Sequence, residues 1–140
     1  MTAFDAARQA QERIAKVVYS DLESKLPGWS TAALEYMEAS ARGSAGLEAK
    51  LASGEVKSVK VNSQVFQPLR ELRRVMATAE HGTWLSMVLA VTSSGEFSYE
   101  FNYDQKPDWD PEPTSDAFIE DLENYPRPES EVPGWYPRRG

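Results

Sequence analysis

The stretch "FNYDQKPDWDPEPTSD", residues 101–116, gathers the densest set of side chains able to do chemistry. Asp108, Asp110 and Glu112 alternate along it, as do the first three oxygen ligands of an EF-hand calcium loop. The match ends there. The sixth position, where glycine makes the sharp turn, is Pro113, and the twelfth, where glutamate closes the shell, is Ile119. Pro111 and Pro113 also hold the backbone extended. Two of these carboxylates acting as acid and base need a fixed separation across a cleft, which spacing in a proline-rich loop does not supply.

Other catalytic sets are thinner still. His81 is the single histidine, cysteine is absent, and no glycine-flanked serine or phosphate-cradling glycine loop occurs. A metal-dependent hydrolase using the acidic loop therefore stands only as an alternative reading. Arg70, Arg73 and Arg74, with Lys57 and Lys60 nearby, have the charge to grip a phosphate, but helical spacing favours a solvated helix face. Tyr99, Phe101 and Tyr103 suggest a base-stacking platform, yet their period of two is that of a strand's core face.

Composition narrows the field further. The chain has 140 residues, enough for one core, and 22 acidic against 15 basic residues, a net charge of −7. That balance repels phosphate backbones, so nucleic acid is not an expected direct ligand. Without cysteine there is no disulfide framework or thiolate metal site, and no apolar run approaches the ~18 residues of a membrane span. The N-terminal segment lacks the order of a signal peptide, so the expected compartment is the cytoplasm, with no membrane partner and no cofactor. The charge is uneven: ten acids but four bases lie from Asp104 onward, with seven of the nine prolines. Residues 1–103 thus read as a core and 104–140 as an acidic, proline-rich tail packed on it, all within one domain.

The elements that must position these groups follow from periodicity. Apolar residues at Phe4, Ala7, Ile14, Val17, Val18 and Leu22 predict a helix that Pro27 and Gly28 stop. A strand is expected over residues 29–39 with Ala32, Leu34 and Tyr36 on one face, then shorter strands in "GLEAKLAS" and "EVKSVKVN". "FQPLRELRRVMATAE" predicts a second helix on Phe66, Leu69, Leu72, Val75 and Met76, its three arginines mostly off that face and Gly82 marking the stop. A hairpin follows around Ser93, Ser94 and Gly95. Its first strand sets Trp84, Ser86, Val88 and Ala90 against Leu85, Met87, Leu89 and Val91; its second turns Phe97, Tyr99, Phe101 and Tyr103 toward a helix. "SDAFIEDLENY" reads as a short helix capped by Ser115. The expected fold is α+β: an antiparallel sheet of four to five strands packed against two main helices, with a short helix in the tail.

From Gly82 onward the sequence resembles the C-terminal half of the YezG/EsaG-like immunity proteins of bacterial polymorphic toxin systems. The resemblance rests on "TW", on "SSGEFSYEFNYD", and on "PDWD", "YPR" and "VPGW" in that order. Residues 1–80 match in layout alone, and the middle strands depart from the family in being lysine- and alanine-rich. The resemblance implies a small non-enzymatic α+β antitoxin that binds and neutralises a cognate toxin domain, in several relatives a nuclease. An acidic, aromatic surface complements a positive, phosphate-gripping cleft. The expected toxin-binding patch is Tyr103, Asp104, Asp108, Trp109, Asp110 and Glu112. Trp109 has two readings, an interface anchor or a ring folded back on the sheet, while Trp135 is expected to pin the tail to the core. A general adaptor or chaperone with several partners is the remaining alternative, and periodicity leaves self-association open.

Overall fold

The computed structural model describes residues 2–109 and 112–137. Helix α1 (Ala3–Lys25) opens on a capping box: the Thr2 hydroxyl accepts from the Asp5 amide, and the Asp5 carboxylate accepts from the Thr2 amide. Its buried stripe is Ala10, Ile14, Ala15, Val18 and Leu22. Phe4, expected on that stripe, is instead 75% exposed, because the first turn runs ahead of the packed residues. Strands β1 (Trp29–Ala39), β2 (Arg42–Leu51) and β3 (Val56–Val59) precede helix α2 (Phe66–Val75); strands β4 (Ser86–Thr92) and β5 (Phe97–Asn102) and helix α3 (Ser115–Asn124) follow. The five strands form one antiparallel sheet in the order β3-β2-β1-β4-β5, so the fold is α+β as expected. Among the described residues no helix is long and apolar enough to cross a membrane.

β1 is the centre of the sheet, pairing with β2 on one side and β4 on the other. Ala32, Leu34 and Tyr36 point to the helices and join Ile14, Leu22, Leu69, Leu72, Met87 and Leu89 in the main core. Because β1 runs to Ala39 before turning through Ser40 and Ala41, β2 begins at Arg42, four residues before the expected start at Gly46. β4 follows the expected alternation from Ser86 to Val91 but not before it. Trp84 packs with the helix-side core, 6.1 Å from the Tyr36 ring, and Leu85 joins a second apolar cluster with Trp109 and Phe118. In β5, Tyr99 donates to the Gln11 carbonyl of α1, as an aromatic face turned to a helix requires.

α2 ends at Val75, well short of Gly82, which instead lies at the close of a turn with φ +65°. The larger departure is Arg73. Leu69, Leu72, Arg73 and Met76 share one helical stripe, so Arg73 faces inward and is 0% exposed. Its Nη1 and Nη2 donate to Asp121 Oδ1 and Oδ2, both at 2.7 Å, Nη1 reaches Glu38 Oε2 at 3.3 Å, and Nε donates to the Trp84 carbonyl at 2.7 Å. Burial works against the guanidinium charge, but the bonds and charges of Asp121 and Glu38 hold its pKa above the ordinary value. Asp121 Oδ1 also accepts from the Ser40 amide, steadying a non-glycine residue at φ +56°. One cation thus ties α2, β1, the entry to β4 and α3 together.

Removing one member leaves the others buried and uncompensated, which costs about 3–5 kcal/mol. Asp121→Ala is expected to lower the unfolding free energy measured in urea by that amount, with a correspondingly lower midpoint, and to open residues 104–137 to protease before the sheet unfolds. Retention of both midpoint and protease resistance contradicts the role given to Arg73.

Candidate protein-binding surface

The expected patch begins where β5 ends. The Asn102 side chain turns the chain by accepting from the Gln105 amide at 3.0 Å and donating to the Gln105 carbonyl and to Ser86 Oγ. Tyr103 remains half-buried against the main core, and burial raises its phenol pKa against the opposing pull of Arg127. Arg127 is the rivet of this corner. Its side chain, 3% exposed, donates to the Tyr103 and Glu131 carbonyls and pairs with the Asp104 carboxylate at 3.1 Å. Gly82 makes room for it: a Cβ there meets Arg127 Cγ at 2.7 Å and the Tyr125 carbonyl at 3.0 Å. Trp135 donates from Nε1 to the Asp104 carbonyl at 2.7 Å, which pins the tail as the sequence suggests.

The remaining patch residues divide sharply. Asp108 is exposed, with no ion-pair partner among the described residues, and Glu112 is exposed but paired with Lys106. Asp110 lies outside the described residues. Trp109 is only 8% exposed: its ring stands edge-on to Phe118 at 6.4 Å, with the Arg42 guanidinium 5.9 Å from its centroid. Of its two readings the fold-back is the one observed, so Trp109 supports the surface from beneath. The second cluster it belongs to, with Ala39, Leu85, Phe118 and Tyr136, gathers at the Ala39 end of β1, where Met37 and Ala39 alternate with the core-facing Tyr36. The short helix α3 that carries Phe118 is capped by Thr114, whose hydroxyl accepts from the Ala117 amide at 3.1 Å, and not by Ser115.

These acids are spread over the surface. Among the described residues, no three histidine or carboxylate side chains are grouped to hold a metal ion. An open cleft of about 380 Å³ between the β1–β2 turn and the start of α3 is lined by Arg42, Glu112, Asp116 and Glu120. From Asp104 onward every described acid except Asp121 is exposed, and Asp121 is consumed by Arg73. The buried partnership of Arg73 with Glu38 and Asp121 departs from the solvated helix face that the spacing of the arginines predicts. Its signal was present, since all three charges occupy apolar stripes: Arg73 beside Leu69 and Leu72, Glu38 two residues after Tyr36, Asp121 beside Phe118. No protein-family model matches the chain, and no curated protein matches it either.

Two predictions follow from this packing. Trp109→Ala removes a buried ring and is expected to cost about 3–5 kcal/mol in urea unfolding, whereas an exposed Trp109 gives a change near zero. Tyr136 is raised from 10.0 to about 12 by burial and by the charge of Asp121, and burial also raises Tyr36 and Tyr99. The folded state therefore holds these protons after the unfolded chain has released them. Stability from Tyr136 is complete below pH 10 and is lost as pH rises through about 12, where phenolate absorbance is expected to appear together with unfolding.

Proposed function

We propose that this chain is an immunity protein: it binds a cognate toxin domain, most simply a nuclease, and neutralises it with the acidic surface of residues 104–131. The observation that carries the reading is the asymmetry of that surface. Its described acids other than Asp121 face solvent, while its two described cations, Lys106 and Arg127, are engaged with Glu112 and Asp104. A surface of this kind attracts an electropositive partner and steers its approach. The tail is also pre-ordered. Arg127, Trp135 and the ring cluster under Trp109 fix its path, so little chain entropy is lost when a partner docks.

The docking role of Trp109 passes in this reading to Asp104, Asp108 and Glu112, with Asp110 between them in sequence. Inhibition needs no chemistry from this chain, only occupancy of the toxin's positive surface. Co-expression with the toxin domain encoded beside this gene tests the reading. The wild-type chain is expected to restore growth, and the double variant D108K/E112K to lose at least tenfold in affinity with an unchanged melting temperature. Full protection by that variant rejects the acidic loop as the contact.

A further inference from the structure

The sheet has two faces, and they are treated differently. One carries α1 and α2 over the main core; among the described residues the tail covers the other at the end holding Met37, Ala39 and Leu85. Beyond that end the central strands stand open. Ala33 and Ala90 lie directly across from each other and are both exposed, although the wet face of an antiparallel sheet is ordinarily polar. In the row nearer the tail, Val88 pairs with Glu35 on β1 and with Glu100 on β5, and both glutamates are exposed. A groove of about 650 Å³ runs over this face past Gly46, Glu48 and Ser58.

Size and charge together identify the occupant. Five strands and the six or so uncovered residue rows give roughly 24 by 20 Å, about 500 Å². A specific interface takes about 800 Å² from each partner, so the open sheet alone falls short and reaches that size only with the adjoining tail. Small residues at the centre allow close approach, and carboxylates on the tail side continue its negative charge. Lys50 and Lys60 follow only toward the far strands. A second copy carrying the same net charge of −7 is a poorer match to this half of the face than an electropositive protein.

We propose that the row Glu35–Val88–Glu100 is part of the same docking surface as the tail, and that it receives the electropositive face of the toxin domain. This rests on the immunity reading above. The toxin then lies in the angle between the open strands and the tail, with Ala33 and Ala90 beneath it and carboxylates on two sides. Mutating the sheet row therefore affects binding without touching any residue that holds the tail in place.

Isothermal titration of the purified full chain with the toxin domain encoded beside it tests this, alongside growth protection. E35K/E100K is expected to weaken binding at least tenfold, and the neutral pair E35Q/E100Q by a smaller factor, both with wild-type melting curves. If both sheet pairs bind as wild type while D108K/E112K fails, the sheet row is excluded and the tail reading stands. A wild-type chain that neither binds nor protects removes both. A chain that sediments as a dimer and becomes monomeric in E35K/E100K assigns the face to a second copy and overturns the inference.

Discussion

A guanidinium with no access to water sets the terms for this molecule. Arg73 sits at the meeting point of α2, β1, the entry to β4 and α3, and its charge is tolerable there because Asp121 takes it with two parallel bonds while Glu38 and the Trp84 carbonyl take two more. Tyr36 adds to the set by donating to Glu38, and the Tyr125 ring lies 5.1 Å from the guanidinium carbon. A network of this kind contributes less to net stability than an apolar core of the same volume. What it supplies is an address: α3 has one position in which Asp121 reaches Arg73, and the tail on both sides of α3 is placed accordingly.

From that fixed point the acidic surface follows in short steps. α3 presents Phe118 to Trp109, Trp135 and Tyr136, which closes a second apolar cluster beneath the tail. Arg127 then ties the returning chain to the end of β5 at Tyr103 and Asp104. Aromatic rings inside and carboxylates outside give the tail the character of a rigid, charged wall beside the sheet. Such a wall suits recognition, because its charges are already oriented before a partner arrives. The charges that converge around Arg73 are sealed from solvent, whereas those of the tail stand at the surface.

Much of the architecture could be read from the residues, and the failures have physical causes. Strong period-two and helical patterns gave α1, β1, the β4–β5 hairpin and α3 close to their true positions. The start of β2 is not legible because Arg42, Gly43 and Ser44 have little strand propensity; pairing with the long β1 overrides it. The end of α2 is hidden because "MATAE" favours helix, while the chain must turn there to deliver Thr83 and Trp84 beside Arg73. For the acidic loop, composition indicated charge but not partnership. Which acids pair, as Asp104 does with Arg127 across 23 residues, depends on tertiary placement that spacing does not encode. Trp109 could not be placed from its neighbours for the same reason: the rings that bury it lie from Phe118 to Tyr136.

The proposed role is the capture of an electropositive toxin domain by a pre-ordered negative surface. Its most direct test is the salt dependence of their association, measured by titration calorimetry from about 0.05 M to about 0.5 M salt, a range that shortens electrostatic reach several-fold. Affinity for the wild-type chain is predicted to fall at least tenfold across that range. An affinity that stays constant over the whole range contradicts that role, because recognition then rests on apolar contacts such as those of Ala33, Val88 and Ala90 and not on charge.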